Sequence, residues 1–556
     1  MSQEQQLLKE PDLPKPHVLT QSHGDLKGWN PDDEQQWDSS GKRIALRNLW
    51  ISIPCLLCAF AVWMLWGVLT VQMLNLGFPY KQDELFTLAS IAGLSGATLR
   101  IPSTFFIRIA GGRNTIFFTT LLLIVPVVGA GIAFQDLRTP LWVFQLLALL
   151  SGIGGGNFAS SMSNISFFFP KRVQGTSLGL NAGLGNFGVT TMQLLIPLAM
   201  TVGFSFQAPM ILKQASGTIF GKVPAGAESY IANGAYVWLL FLVPLALIAW
   251  FGMNNIRDEH VSPSIGSPLS SFAKIGGMLL IGLLTAQLGL WCMQPPAAIG
   301  VTFSLSKWLV LPGVVLLTLA LLKMIPGTVR ANLSRQFQIF KNPNTWVMTV
   351  IYTMTFGSFI GFSAALPLFI KVIFGYQHVV AADGVFTHTL ANPNAPSALQ
   401  FAWIGPFIGA LIRPVGGMLA DRLGGARVTQ AVSVVMVGAA LAVAYFLGLA
   451  YTSATPEQYF VPFFLLFLVL FLSSGIGNGS TFRTVAVIFS KEQAGPVLGW
   501  ASAIAAYGAF IIPMEFGEQI KHMTPQYALY GFASFYLVCV VLNWWFYLRN
   551  PEYKNA

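Results

Sequence analysis

LRIPSTFFIRIAGGRNT at 99–115 and IRPVGGMLADRLGGARVT at 412–429 are one motif written twice. In each copy an arginine, Arg100 or Arg413, stands eleven residues before a Gly-Gly pair, Gly111-Gly112 or Gly424-Gly425. A second correspondence pairs Gly175, Gly179 and Gly188 with Gly495, Gly499 and Gly508, and Gly-Ile-Gly recurs at 152–154 and 475–477. The chain therefore reads as two related halves in the same orientation.

The medium for those halves follows from composition. Of 556 residues 54% are hydrophobic and only 9% charged, with a mean hydropathy of +0.63, whereas a soluble domain carries roughly 25% charge. A hydrocarbon core about 30 Å thick needs roughly 20 apolar residues per helix. On that basis spans fall near 48–72, 85–107, 114–134, 139–169, 176–203 and 234–254, then 272–294 and 307–326, then 345–373, 399–420, 429–451, 460–489, 496–516 and 528–548. The expectation is an all-α polytopic membrane protein with about fourteen helices: a tail at 1–46, a six-helix half at 47–256, a linker with two additional helices at 257–343, a second half at 344–548 and a tail at 549–556.

The net charge of +10 is scattered through short breaks, which speaks against a nucleic-acid surface. Lys42, Arg43, Arg47, Arg108, Arg113, Lys171, Arg172, Arg257, Arg330, Arg335, Lys341, Arg422, Arg427, Lys491, Arg549 and Lys554 fall in alternate breaks. By the positive-inside rule those breaks and both termini are cytoplasmic, and the long loops at 205–232 and 374–398 are external. The polar N-terminal tail has no signal-peptide core, so the first helix serves as an uncleaved insertion signal. Cys55, Cys58, Cys292 and Cys539 lie in apolar runs, and the CxxC lacks a second ligand pair, so ordinary buried thiols are expected and no metal or cofactor.

Two parallel six-helix halves are the arrangement of the major facilitator architecture, whose substrate site lies between the halves near the midplane. GGMLADRLGGAR at 416–427 resembles that superfamily's loop between the second and third helices of a half. There Asp421 and Arg422, beside Gly424 and Gly425, would make charge contacts that bias the conformational equilibrium. Arg108 stands where the first copy would have the aspartate, so the device is uneven between halves.

A charge within a membrane helix is costly and usually faces the bundle interior. Arg100 and Arg413 occupy equivalent places about two thirds along their helices, and the spans supply almost no counter-ion. Asp421 is at a helix end, Glu515 is near an external end, and His17, His23, His260, His378, His388 and His522 fall in tails or loops. Two such arginines call for an anionic ligand. The arginine fork donates two parallel hydrogen bonds and keeps its charge, which suits a small planar oxyanion. Tyr352 and Phe356, four apart, share a helix face. Arg483 stands eight residues before Lys491, about 12 Å along a helix, and either snorkels to the surface or relays the anion.

Further stretches carry a resemblance: RIALRNLWISIPCLL at 43–57, SGATLRIP at 95–102, GGNFASSMSNISFFFPK at 155–171, GLNAGLGNFGV at 179–189, FGSFIGFSA at 356–364 and GPFIGALIR at 405–413. With them the chain resembles the nitrate/nitrite porters, NarK type, of the major facilitator superfamily, over nearly all of residues 40 to 550 apart from the helix pair at 272–326. The resemblance implies that Arg100 and Arg413 bind the anion, that Phe158 and Phe356 lie above and below its plane, and that Asn186 and Tyr352 donate hydrogen bonds. For Phe158, residue-level reading alone gives only ordinary packing. The resemblance also implies nitrate and nitrite as substrates, a bacterial cytoplasmic membrane and a monomer among lipids. The usual twelve helices of the family become fourteen here, and the extra pair is expected to pack outside the transport core.

A symporter usually needs a titratable carrier, and none lies at midplane depth. An empty site with two unneutralised arginines resists occlusion, so exchange is favoured: nitrate in, nitrite out. Proton-coupled nitrate symport is the alternative. A channel would need a continuous pore, and an enzyme a nucleophile, metal cluster or cofactor motif. Finally, GLNAGLGNFG at 179–188 places Gly175, Gly179, Gly183 and Asn186 on one helical face and Asn181, Gly185 and Gly188 on another. The expectation is that the first face packs closely on neighbouring helices and carries the ligand Asn186, while Asn181 bonds between helices.

Overall fold

The computed structural model describes residues 19–553 except 23, 204–207, 259–260, 263–264, 296–303, 328–329, 332–333, 335–336 and 381–385. His17, His23, His260, Arg335 and Lys554 lie outside the described residues. Before the first helix, β1 (Thr20–Ser22) and β2 (Asp25–Lys27) form a hairpin. The first half follows as α1 (Glu34–Leu76), α2 (Gln82–Ser103), α3 (Gly112–Ala133), α4 (Leu141–Phe168), α5 (Lys171–Asn186 and, past a break at Phe187, Gly188–Ala199) and α6 (Ile231–Gly252). The loop before α6 holds β3 (Met210–Ile211), β4 (Ser216–Thr218), β5 (Gly221–Val223) and β6 (Glu228–Ser229), and β7 (Asn255–Ile256) follows α6. The extra pair is α7 (Pro268–Met293) and α8 (Lys307–Met324). The second half is α9 (Pro343–Phe374), the hairpin β8 (Tyr376–Val380) and β9 (Phe386–Ala391), α10 (Ala398–Leu423), α11 (Gly425–Ala450), α12 (Pro456–Ile488), α13 (Lys491–Ala506 and Gly508–Lys521) and α14 (Gln526–Leu548).

Among the described residues thirteen helices are long and apolar enough to cross a membrane. The remaining expected span, α5, is helical, but its glycines and asparagines dilute its apolarity. Helix starts are encoded locally: Ser267 and Asn342 accept the backbone N–H of Ser270 and Asn344, each with proline at the first helical position.

The repeat is visible in the backbone. Gly111 and Gly424 adopt φ of +80° and +91°, a region side chains rarely enter. A Cβ on Gly112 would lie 1.9 Å from Asn164 Oδ1, and on Gly425 2.3 Å from Thr484 Oγ1, so neither turn tolerates a side chain. α2 runs antiparallel to α13: Phe86 packs at Gly517, and Thr98 shares a 2.9 Å hydrogen bond with the Tyr507 hydroxyl. Both Gly-Gly turns therefore lie on one face. Asp25 pairs with Arg113 at 3.9 Å and Asn543 donates to the Ala426 carbonyl at 2.9 Å, which puts both chain ends on that same terminal face.

Two expectations change. The tail at 1–46 is folded over its described part: β2 pairs with β7, Trp29 donates to the Phe167 carbonyl at 3.0 Å, and Trp37 packs edge-on to Phe169 at 5.8 Å. Its buried indoles and Leu26 supply an apolar anchor that a window average over a polar tail conceals. The helix also begins before Lys42, so Arg43 and Arg47 lie within it. The extra pair flanks the bundle but grips it: a Cβ on Gly282 of α7 would lie 2.7 Å from Leu99, and Lys307 at the start of α8 bonds Glu515, at 2.9 Å, and Glu518 of α13.

Candidate functional site

Glycines bring the arginine-bearing helices into backbone contact. In α4 a Cβ on Gly154 would lie 2.1 Å from the Ala59 carbonyl of α1, and on Gly155 2.7 Å from both Gly96 Cα of α2 and the Trp63 ring. Only small residues permit that approach, and it delivers the Gly155 carbonyl to Arg100. The second half repeats the device: a Cβ on Gly475 or Gly479 of α12 would lie 2.5 Å from the Gly409 carbonyl or 2.3 Å from the Arg413 carbonyl of α10.

Arg100 is fully buried. Its Nε donates to the Gly155 carbonyl at 3.1 Å and its Nη1 crosses between halves to the Ser502 carbonyl at 3.0 Å, while Nη2 has no partner. Arg413, 8% exposed, leaves Nε and Nη2 both unpartnered. Those two nitrogens form the side-on edge of the guanidinium, the fork that grips an oxyanion through parallel bonds. Among the described residues neither arginine pairs with a carboxylate. Buried charge with unused donors is costly unless a ligand completes it.

Aromatic rings wall the cluster. Phe356 lies 5.1 Å from the Arg100 guanidinium carbon and 5.7 Å from that of Arg413, so both charges share one ring. Phe158 stands 4.8 Å and Trp63 5.2 Å from Arg100, and Phe359 4.3 Å from Arg413. The Phe158 and Phe356 rings are 22° from parallel with centroids 6.5 Å apart, about twice a carbon contact distance of ~3.5 Å. α9 passes through a π-turn at Thr353–Gly357, a feature frequent at functional sites, and Tyr352 stacks on Phe356 at 5.6 Å. Tyr352 lies within electrostatic range of both arginines and beside Asn478.

The structure thus brings Arg100, Arg413, Tyr352, Phe158 and Phe356 together. Asn186 is buried on α5 with its amide oxygen unpartnered, and its nitrogen donates to the Ala182 carbonyl at 2.7 Å, so one amide N–H remains for a ligand. Arg483 is elsewhere: its Nε meets Asp421 Oδ1 at 3.3 Å where both are substantially exposed. The relay reading gives way to a charge contact at the terminal face, beside Arg422, Gly424 and Gly425. The glycine stripe is also corrected. Cβ atoms on Gly179, Gly183 and Gly499 would meet nothing within 4 Å, whereas those on Gly185 and Gly188 would lie 2.6 and 2.0 Å from Leu56 and the Leu57 carbonyl. The packing face is the one with Asn181, which donates to Ser161 Oγ at 2.9 Å. Sequence reading missed Trp63, Phe359 and Asn478; fully buried Asn478 has neither amide atom bonded, and its signal was an amide inside the repeated glycine run, GIGGG against GIGNG.

The chain is 35% identical over 548 residues to "Nitrate/nitrite transporter NarU" of Escherichia coli strain K12, covering 94% of this chain and 96% of that one. It is 34% identical to "Probable nitrate/nitrite antiporter NarK2" of Thermus thermophilus, covering 95% and 98%. The chain belongs to the NarK-type nitrate/nitrite porter family. A more distant relative is the "Nitrite extrusion protein" of Bacillus subtilis strain 168, 23% identical and covering 90% of this chain and 95% of that one. No protein-family model matches the chain. Among solved structures, a mutant of a peptide transporter POT in complex with sulfate superposes with a TM-score of 0.56 at 13% identity, covering 90% of this chain and 96% of that one. That likeness shows the major facilitator fold for this NarK-type porter, a multi-pass membrane protein.

Proposed function

We propose that the chain carries nitrate and nitrite across a bacterial cytoplasmic membrane by alternating access, as an antiporter that imports nitrate and exports nitrite. The observation that carries this reading is the unpartnered Nε/Nη2 edge of buried Arg413, facing the same Phe356 ring as Arg100. A planar ion one atom thick fits between Phe158 and Phe356, with the Arg413 fork, Arg100 Nη2, the Tyr352 hydroxyl and the Asn186 amide as donors. A bound monovalent anion offsets one of the two arginine charges that no described carboxylate pairs with, so the loaded site closes more readily than the empty one. That asymmetry is the physical basis of exchange.

The halves at 47–256 and 344–548 rock about this site. On the face away from the termini they touch: a Cβ on Gly67 would lie 2.6 Å from the Ala364 carbonyl, and Gln214 donates to the Tyr376 hydroxyl at 3.3 Å. Towards the terminal face Gly179, Gly183 and Gly499 border open space. On this reading, with the terminal face cytoplasmic by its charge, the arrangement is inward-facing and the working unit a single chain. No catalytic chemistry is assigned to it. The test uses purified protein in liposomes, measuring nitrite uptake with and without internal nitrate and a pH gradient. Strict dependence on internal anion is expected; pH-driven uptake into anion-free vesicles would establish proton symport instead.

A further inference from the structure

A cavity of about 260 Å³ lies between the halves on the face away from the termini, bounded by the end of α1, the β4–β5 hairpin, the end of α9 and the segment entering α10. Lys213, Lys222 and Lys371 line it, and no aspartate or glutamate does. Lys371, in the last turn of α9, is only 8% exposed. Its Nζ lies 5.9 Å from the Tyr376 ring centroid, and it makes no ion pair among the described residues. Glu457, held by the Asn392 amide at 2.8 Å, does not line the cavity. The buried Ser397 hydroxyl is a further unpartnered donor, and the unpartnered amide oxygens of Asn75 and Gln214 can hold water. At about 30 Å³ per water the space suits a small oxyanion with part of its hydration shell.

We propose that this cavity is an outer anion site, where a small monovalent oxyanion is captured by Lys371 and Ser397 before passing to Arg100 and Arg413. It rests on the reading of the chain as a carrier of such anions. Lys213 and Lys222 steer the ion electrostatically, and a basic cleft of this kind raises local anion concentration by about tenfold or more.

Two measurements on the full chain test it. In crystals equilibrated with bromide, an anomalous peak is expected beside Lys371 Nζ in wild type and in Arg413→Gln, and none in Lys371→Gln. In liposomes, Lys371→Gln should raise the external nitrate needed for half-maximal exchange about threefold to tenfold and flatten its salt dependence. Maximal exchange should be unchanged, and Lys371→Arg should restore wild-type behaviour. Bromide at the arginines but not at Lys371 overturns the proposal. So does a peak with unchanged kinetics, an adventitious ion only. If Arg413→Gln transports normally, the central-site reading fails, while bromide at Lys371 still decides this one.

Discussion

Arg413→Lys separates charge from geometry. Nε and Nη2 of Arg413 hold no protein partner, so lysine there should cost the fold little, whereas an anion loses the second of two parallel bonds. A hydrogen bond to a charged group contributes about 1.5–3 kcal/mol, and each ~1.4 kcal/mol is a factor of ten in affinity. The nitrate Kd should therefore rise by about ten- to a hundredfold with the thermal midpoint nearly unchanged. Arg100→Lys should behave differently, because it also breaks the bonds to the Gly155 and Ser502 carbonyls; both affinity and thermal stability should fall. Calorimetric nitrate titration of detergent-purified variants, with melting curves alongside, reads both quantities. Arg413→Lys binding within twofold of wild type would refute the fork argument.

Further outcomes follow from the same contacts. Gly155→Ala forces a Cβ to 2.7 Å from Gly96 Cα and should destabilise by about 1–3 kcal/mol, lowering the melting point and transport, whereas Gly179→Ala and Gly183→Ala, facing open space, should be silent; equal effects would restore the packing role of the stripe. Asn186→Ala should weaken nitrate binding by about 1.5–3 kcal/mol, while Asn181→Ala, losing its bond to Ser161, should lower thermal stability at unchanged affinity; the reverse pattern would mean the two faces are misassigned. In the β8–β9 hairpin, burial and then the His378 charge lower His388 from 6.5 to about 4, and its ring stacks on Tyr451 at 4.2 Å. The docked hairpin therefore favours the neutral ring: its docking is fully supported above pH 6.5 and weakens as pH falls towards about 4. The protection of amides in 376–380 and 386–391, measured relative to their intrinsic exchange rate at each pH, should fall at low pH in wild type but not in His388→Asn, and an equal fall in both would count against His388.

The fold was legible because its signals are periodic and repeated. Arg100 and Arg413 could be paired from their spacing to the Gly-Gly turns, and those turns do share a positive-φ backbone. What escaped was direction. A helical wheel sorts Gly179 and Gly183 from Gly185 and Gly188 but cannot say which set meets α1, since that depends on a neighbour distant in sequence. The difference between the two arginines was likewise invisible: Arg100 is half occupied by carbonyls that only helix packing delivers, and Arg413 is not. For Arg483, spacing alone left snorkelling and relay both open; its partner Asp421, from another helix, is what places it at the exposed end. Trp63 and Asn478 read as ordinary residues of hydrophobic helices because their role comes from the walls opposite them.

The most direct test is a structure of the full chain with nitrate bound. The account predicts planar density between Phe158 and Phe356, within about 3 Å of Arg413 Nε and Nη2 and in reach of Arg100 Nη2. Nitrate density elsewhere, with the Arg413 fork still unpartnered, would contradict it.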